Sequence, residues 1–451
     1  AAPTAAPTAA PTAAPTPAST STPANIKAVQ VSAGGSHSCA LLEGGDVKCW
    51  GANGSGQLGL GDTIDRGDGT LPMGDGLPAV DLGAGAKAVA VGAGESHSCA
   101  LLEGGSIKCW GLNSNAQLGV GDPLTRGTGV LPMGDGLPTV KLGTGRTALA
   151  LGVGSYHNCA LLDNYSVKCW GRNAEGQLGL DDKTNRGGSA ATSGDNLPSV
   201  KLGAGRTATA IAVGYMSSCA LLDDASLKCW GRNDFGQLGQ EHSDNLGDDA
   251  DEMEQVVVPV NLGDGRTAVK IAGALNHFCA LLDDDSMKCW GYGSNGRLGL
   301  GELTNRGDQS GEMGNNLAAV QLGTGLKVVD IAGGHHTCVL FEGGVVKCWG
   351  RNDYGQLGYG DTANRGDAPG EMGNALQFVA LGAGRSVISI DAGYLHTCAV
   401  LDDGSVKCWG DGDNGRLGLG NTEHRGDESN EMGDNLAVVD LGMVSEPTPA
   451  P

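Results

Sequence analysis

Short apolar runs separated by glycine- and aspartate-rich turns dominate the chain between residues 26 and 443. In one stretch, residues 87–92 alternate small apolar side chains before a glycine, and residues 99–102 and 107–111 form two further short runs. Runs of this length, bounded by turn residues, predict β-strands. A fourth candidate strand, 139–142, follows a long loop, and no segment shows a sustained helical period. The pattern predicts an all-β protein.

This strand pattern occurs seven times. The segment SCALLEGGDVKCWG at 38–51 returns in six later copies at intervals of 60 residues, with one interval of 59 between Cys279 and Cys338. Seven units of four strands predict a seven-bladed β-propeller with four-stranded blades, in which radial repetition leaves few exposed strand edges. The strand that begins at residue 26 and the last strand, near 441, are expected to meet at one seam and close the ring.

Each copy also carries a specific motif. G-x-x-H-x-C-A-L-L is followed by K-C-W-G-x-N-x-x-G-Q-L-G-x-G-D, first at 34–62. This motif resembles that of the regulator of chromosome condensation repeat family, and the resemblance covers residues 26–443. It implies a seven-bladed β-propeller. It does not imply one activity, because family members include an exchange factor for a small GTPase, ubiquitin-ligase subunits and secreted bacterial inhibitors.

All 14 cysteines lie in the repeats, as pairs that flank a predicted hairpin turn. If Cys39 faces Cys49, then Leu41 faces Val47 on one side of the ribbon and the polar Lys48 lies on the other side. Directly opposed cysteines are close enough for a disulfide. The sequence therefore predicts one disulfide per blade: Cys39–Cys49, Cys99–Cys109, Cys159–Cys169, Cys219–Cys229, Cys279–Cys289, Cys338–Cys348 and Cys398–Cys408.

A histidine two residues before the first cysteine offers an alternative, a metal site built from His-x-Cys and the second cysteine. The histidine is present in six copies, as His37, His97, His157, His277, His336 and His396. The fourth copy has Ser217 there and keeps both cysteines, and the gap between the cysteines does not match zinc-site spacings. We therefore predict no metal and no cofactor, and we expect structural histidines that bond to backbone groups.

The two ends differ from the repeats. Residues 1–25 contain four copies of Ala-Ala-Pro-Thr, and residues 444–451 are also proline-rich. Such sequence cannot bury a core and favours extended, polyproline-II-like tails. Thr and Ser beside Pro are typical of O-glycosylated stalks, although an unmodified linker is an alternative. The O-glycosylation candidates are Thr4, Thr8, Thr12, Thr16, Ser19, Thr20, Ser21, Thr22 and Thr448. Asn53 and Asn164 begin N-glycosylation sequons.

Charge excludes several classes of partner. Asp and Glu number 51 against 29 Lys and Arg, a net charge of -22, which repels a phosphate backbone and disfavours nucleic-acid binding. No apolar run is long enough to span a membrane, so no membrane insertion is expected. The cysteine pairs indicate an oxidising, extracellular location.

No catalytic grouping emerges from the spacing of titratable residues. The non-repeating His242, His335 and His424 are scattered along the chain, and we predict no enzymatic activity. Arg-Gly-Asp occurs four times at equivalent places, which indicates a structural turn and not an adhesion motif. The acidic insert 241–258 in the fourth copy departs most from the pattern, so any blade-specific contact is expected there.

Tails, cysteines and missing catalytic residues together favour an extracellular structural glycoprotein. Such a protein would carry covalent glycans and self-associate as the subunit of a fibre or cell-surface appendage. The alternative is a secreted binding module, lectin-like or inhibitor-like, that recognises a partner through its loop face.

Overall fold

The computed structural model describes residues 25–443 and forms seven antiparallel sheets of three strands, one per sequence repeat. The strands are β1 Ala28–Ala33, β2 His37–Leu42, β3 Val47–Gly51; β4 Ala88–Ala93, β5 His97–Leu102, β6 Ile107–Gly111; β7 Ala148–Val153, β8 His157–Leu162, β9 Val167–Gly171; β10 Ala208–Val213, β11 Ser217–Leu222, β12 Leu227–Gly231; β13 Ala268–Gly273, β14 His277–Leu282, β15 Met287–Gly291; β16 Val328–Gly333, β17 His336–Phe341, β18 Val346–Gly350; β19 Val387–Ala392, β20 His396–Leu401, β21 Val406–Gly410. The predicted all-β, seven-bladed architecture is confirmed.

Helical structure is confined to single turns in the loops. One α-helix, α1, covers Glu252–Gln255, and the 3₁₀ turns are Gly74–Gly76, Gly134–Gly136, Ala190–Thr192, Gly194–Asn196, Ser294–Gly296, Gly314–Asn316, Asp413–Gly415 and Gly433–Asn435. Among residues 25–443, no helix has the length and apolar character needed to cross a membrane.

The predicted fourth strand of each blade does not form in this part of the chain. The Val80 N–H donates to the Val47 carbonyl at 2.8 Å, and the equivalent segment of every other blade makes the same single bond. Neighbouring backbone groups are bonded elsewhere. The Leu82 carbonyl accepts from Lys108 Nζ at 2.8 Å, and the Asp81 carbonyl accepts from the Gly134 N–H. Because these carbonyl groups do not pair with the third strand, the blades are three-stranded.

The first strands of the blades form a closed inner circuit. Each contacts the first strand of the next blade, and β19 contacts β1. At the seam Asn25 pairs with Met443, and the Ile26 N–H donates to the Gly442 carbonyl at 3.0 Å. Apart from Asn25, the predicted tails at 1–25 and 444–451 lie outside the described residues.

Both faces of the second and third strands are buried. The predicted register is present in the first blade, with Cys39 opposite Cys49 and Leu41 opposite Val47. Lys48 lies opposite Ala40, on the predicted side of the ribbon, but that side is also buried because the adjacent blades cover both sides of each sheet. Lys48 is buried, its Nζ donates to the carbonyls of Gly74 and Leu441, and burial lowers its pKa.

All seven predicted disulfides are present, with Cα–Cα separations of 4.0 to 4.1 Å. Beside each pair lies a fully buried tryptophan whose indole N–H crosses to the preceding blade. Trp110 Nε1 donates to the Gln57 carbonyl at 2.9 Å, and Trp50 Nε1 donates to the Arg416 carbonyl at 3.0 Å. The second bond joins the first blade to the last, so the same contact that links neighbours also closes the ring.

Candidate functional site

A buried histidine links one blade to the next at six of the seven interfaces. His37 Nε2 lies 2.8 Å from Ser98 Oγ, and His97 Nε2 lies 2.9 Å from Asn158 Oδ1. Because an amide oxygen only accepts, the proton of His97 is on Nε2. The other pairs are His157–Ser218, His277–Thr337, His336–Thr397 and His396–Ser38, at 2.6 to 2.9 Å.

These histidines are structural, but their partners differ from the backbone groups we expected. Ser98 Oγ, which accepts from His37, itself donates to the Gln57 carbonyl at 2.8 Å, so a side chain relays the bond to the backbone. Burial lowers the pKa of His37, His157 and His336 to about 3 and that of His97 to about 4, so the rings are neutral. The neighbouring sulfurs are in disulfides, which leaves no His-Cys ligand set.

In the first blade, Asn53 holds the loop that follows the third strand. Its Oδ1 accepts from the Leu58 N–H, and its Nδ2 donates to the carbonyls of Asp62 and Ile64. Asn53 is 0% exposed, so the folded protein offers no access to this sequon. Asn164, by contrast, is exposed in the hairpin turn of the third blade. The O-glycosylation candidates lie outside the described residues.

The Arg-Gly-Asp segments belong to the same loops. Arg66 is buried and pairs with Asp62 at 2.7 Å, and its Nη1 donates to the Ile64 carbonyl. Gly67 has a φ of +89° and packs against the Gly415 carbonyl, where a Cβ would lie 2.5 Å away. These contacts fix a turn between neighbouring blades.

Acidic residues in the insert 241–258 converge at one point. Carboxylate oxygens of Asp248, Asp249 and Glu252 lie within 4.8 Å of one another. Lys183 Nζ lies 3.0 Å from Asp248, and Glu252 Oε2 accepts from three backbone N–H groups beginning at Gly247. These contacts tie part of the insert to Lys183 and to its own backbone, while Asp244 and Asp249 stay exposed, and a blade-specific contact at the insert stays a prediction.

The seven loops that join the first and second strands of each blade surround one mouth of the central channel. Because adjacent strands are antiparallel, the residues after each third strand lie at this same end, and we call it the axial face. The two-residue sequence before the repeated histidine, or before Ser217 in the fourth blade, is different in each blade. In order, these pairs are Gly35–Ser36, Glu95–Ser96, Ser155–Tyr156, Tyr215–Met216, Leu275–Asn276, Gly334–His335 and Tyr394–Leu395.

Tyrosines from three blades meet on the axis. Tyr394 Oη lies 2.6 Å from Ser155 Oγ, a bond that joins the seventh blade to the third across the channel. Tyr215 lies edge-to-face with Tyr156, with ring centroids 5.7 Å apart, and with Tyr394, at 6.4 Å. Below them is a cavity of about 240 Å³ lined largely by glycine and alanine. The tyrosines therefore cap the channel at the axial face.

An outer ring on the same face alternates arginines with aromatic side chains. The Arg172 guanidinium lies 5.8 Å from the ring centre of Tyr156, and Arg232 lies 5.7 Å from that of Phe235. Phe235 packs against Tyr292, with ring centroids 4.3 Å apart. The Arg297 guanidinium carbon lies 4.4 Å from the ring centre of Tyr292, and burial lowers the pKa of this guanidinium to about 10.

Two of the scattered histidines also reach this face. His335 lies 5.8 Å from Tyr394 and its Nδ1 lies 3.5 Å from Arg297 Nη1. His424 packs against Tyr354 at 5.1 Å and accepts from the Gly412 N–H. His242 lies beside Asp244 in the fourth blade. Sequence spacing missed this grouping, and the signal that would have found it is variation at one place in an otherwise regular repeat.

Seven sheets in a closed ring, stapled by disulfides and linked by repeated inter-blade bonds, define a repeat propeller with a varied axial face. The RCC1-like domain model matches residues 5–310 and 146–448, and the chain belongs to that family.

Three relatives illustrate the range of the family. The chain is 30% identical to the ultraviolet-B receptor UVR8 of Arabidopsis thaliana over 88% of its own length and 80% of the receptor. It is 28% identical to the E3 ubiquitin-protein ligase HERC2 of Homo sapiens over 87% of its length but spans 7% of that protein. The solved structure of Prp20p from Saccharomyces cerevisiae, a protein studied for its binding to Gsp1p and histones, has a TM-score of 0.63 and 19% identity, covering 92% of this chain and 87% of Prp20p.

These similarities overturn the expected fibre subunit. The relatives are named as a receptor, a ubiquitin ligase and, in Drosophila melanogaster, a regulator of chromosome condensation, and none is named as a structural protein. The family therefore favours a binding or regulatory propeller, which agrees with the alternative function considered from the sequence.

Proposed function

We propose that this chain is a non-enzymatic binding module that recognises a protein partner through its axial face. The observation that carries the proposal is the convergence of non-repeating residues. Much of the blade repeats closely, yet tyrosine, arginine and histidine side chains from five blades, the third to the seventh, gather at one end of the channel. Tyr and Arg are the residues that dominate binding energy at protein interfaces, because they offer large contact areas and directed hydrogen bonds.

The opposite end of the molecule supports this choice of face. It carries the hairpin turns between second and third strands, where exposed arginines such as Arg146 are paired with local carboxylates, at 3.1 Å to Asp163. Those pairs follow the repeat, occurring also at Arg206, Arg266 and Arg385. A surface built to distinguish one partner needs different residues in different blades, and these repeated arginine–carboxylate pairs do not supply them.

An oxidising compartment is part of the proposal. Seven buried disulfides are unusual for cytosolic proteins, where thiols are kept reduced, and they support a secreted binding module. Glycans on Asn164 and on the proline-rich ends would fit the same location.

Affinity capture with three forms of the purified full chain tests the face. The forms are wild type, an axial variant carrying Arg232→Ala and Phe235→Ala, and a control carrying Arg146→Ala, which also removes an exposed, paired arginine. A partner retained by wild type and control, reduced at least tenfold by the axial variant, and bound again when purified supports the proposal. Equal capture by all three forms, or loss only in the control, contradicts it.

A further inference from the structure

One carboxylate oxygen on the axial face, Glu95 Oε2, has no hydrogen-bond donor among the described residues. Glu95, from the second blade, folds over Gly35, where a Cβ would lie 3.0 Å from its Oε2. That oxygen is buried and receives no hydrogen bond from residues 25–443. A buried acceptor without a donor is costly, and more so when it carries charge. A ligand that brings N–H donors would remove this cost.

Glu95 belongs to the tyrosine cluster, because its N–H donates to the Ser155 carbonyl at 3.2 Å and Ser155 Oγ lies 2.6 Å from Tyr394 Oη. Burial raises the pKa of Tyr394, and the neighbouring Glu95 carboxylate raises it further. Burial likewise raises the pKa of Tyr156 to about 12, again with a contribution from Glu95. A negative charge at this point repels anions and favours a cation beside the phenol rings.

The aromatic side chains of this face differ in whether the protein supplies their cation. Tyr156, Phe235 and Tyr292 each lie beside an arginine of this chain. Tyr215 and Tyr394 have no such cation among the described residues, although both line the 240 Å³ cavity. The electron-rich face of a phenol attracts a cation, and a guanidinium both stacks on it and donates hydrogen bonds to a carboxylate.

We infer that Glu95, Tyr215 and Tyr394 form a receptor for the guanidinium of an arginine supplied by the partner. This inference rests on the proposed binding role of the axial face and names the chemistry that the face recognises. The planar cation would lie against the Tyr215 and Tyr394 rings, and its N–H groups would donate to the Glu95 carboxylate once that side chain turns away from Gly35.

N-acetyl-arginine amide is the probe, and N-acetyl-citrulline amide, nearly the same shape but uncharged, is its control. Ligand-observed NMR titration of the wild-type chain should show binding of the arginine probe about tenfold or more tighter than the citrulline probe. Glu95→Gln and Tyr215→Leu should each weaken arginine binding by about tenfold. Glu103→Gln, an exposed glutamate of the same blade at the opposite end, should leave it unchanged.

Circular dichroism of each variant establishes that it is folded before titration. Equal binding of the two probes, no binding to the folded wild type, or arginine binding insensitive to both Glu95→Gln and Tyr215→Leu would overturn the inference. If the inference fails but the Arg232→Ala, Phe235→Ala variant still loses its protein partner, the proposed function is supported without the arginine receptor. If the arginine probe binds but the partner is captured equally by that variant, the proposed function is refuted and the inference is not.

Discussion

Ser217 and Phe278 face each other at the one blade interface, among the described residues, that lacks the histidine pair. Ser217 replaces the buried histidine of the fourth blade, and Phe278 replaces the acceptor that the fifth blade would have offered to it. Phe278 instead stacks on Trp290, with ring centroids 6.5 Å apart, and Ser217 Oγ has no hydrogen-bond partner. This interface lacks both the histidine and its hydrogen-bond partner, so the two positions depend on each other.

Restoring both members of this pair should be less harmful than restoring one. Ser217→His alone places a buried imidazole opposite a phenylalanine and should cost about 1–3 kcal/mol, the penalty of an unsatisfied buried polar group. Phe278→Thr alone opens a cavity beside Trp290. In the double variant the new donor and acceptor meet, and a coupling of about 0.5–3 kcal/mol in favour of the pair is expected. Urea unfolding of the four proteins measures it, and strictly additive effects would refute the pairing.

Acidification should destabilise the ring before it affects most carboxylates. Burial lowers the pKa of four inter-blade histidines from the ordinary 6.5, to about 3 for His37, His157 and His336 and to about 4 for His97. It also lowers the pKa of the other two, His277 and His396, well below 6.5. Between these values the unfolded chain binds more protons, so stability is full above about pH 7 and falls as pH drops through 6.5 toward 3. Each histidine contributes about 1.4 kcal/mol per pH unit in that window.

The measurement is the free energy of unfolding at several pH values from 7.5 to 5. His97→Gln retains an N–H donor for Asn158 without a titrating ring, so its slope should be smaller by one proton. A wild-type stability that is constant over this range contradicts the assignment.

Removing one disulfide should weaken the protein without abolishing the ring. Cys159→Ala with Cys169→Ala opens a small loop in one hairpin, and loop-closure entropy predicts a loss of about 2–3 kcal/mol. Chemical denaturation under non-reducing conditions gives this value, with the wild type measured alongside. An unchanged midpoint would show that the strand pairing alone holds the hairpin.

Expression in a glycosylating host should separate the two sequons. We expect peptide mass spectrometry to find Asn53 unmodified, because its amide nitrogen is buried and bonded to Asp62 and Ile64 carbonyls. Asn164 is exposed and accessible to the transferase. The variant Ser166→Ala, which destroys that sequon, provides the matched control. A glycan on Asn53 of folded protein would contradict the structure.

The repeat of about 60 residues predicted the blades, but it did not predict the candidate site, whose residues differ from one repeat to the next. Hairpin register followed from the placement of Cys39 and Cys49, because opposed positions on two strands are fixed by a short turn. The fourth strand failed because its bonding groups are taken by Lys108 and by the next loop, which no local pattern reports. Tyr215 and Tyr394 are 179 positions apart in sequence and occupy the least regular part of the motif, so only the circular arrangement brings them together.

Beside the seam at Asn25 and Met443, the last blade contacts the first through the same side-chain bonds that link most other neighbouring blades. His396 reaches Ser38 and Trp50 reaches Arg416, just as other blades reach their neighbours. The last and first blades are therefore held together by non-covalent contacts, although the chain does not run from one directly into the other. Joining the two ends and cutting the chain in another inter-blade loop would yield a circular permutant with the same blades in the same cyclic order, and gene rearrangement could move the termini without moving the axial face.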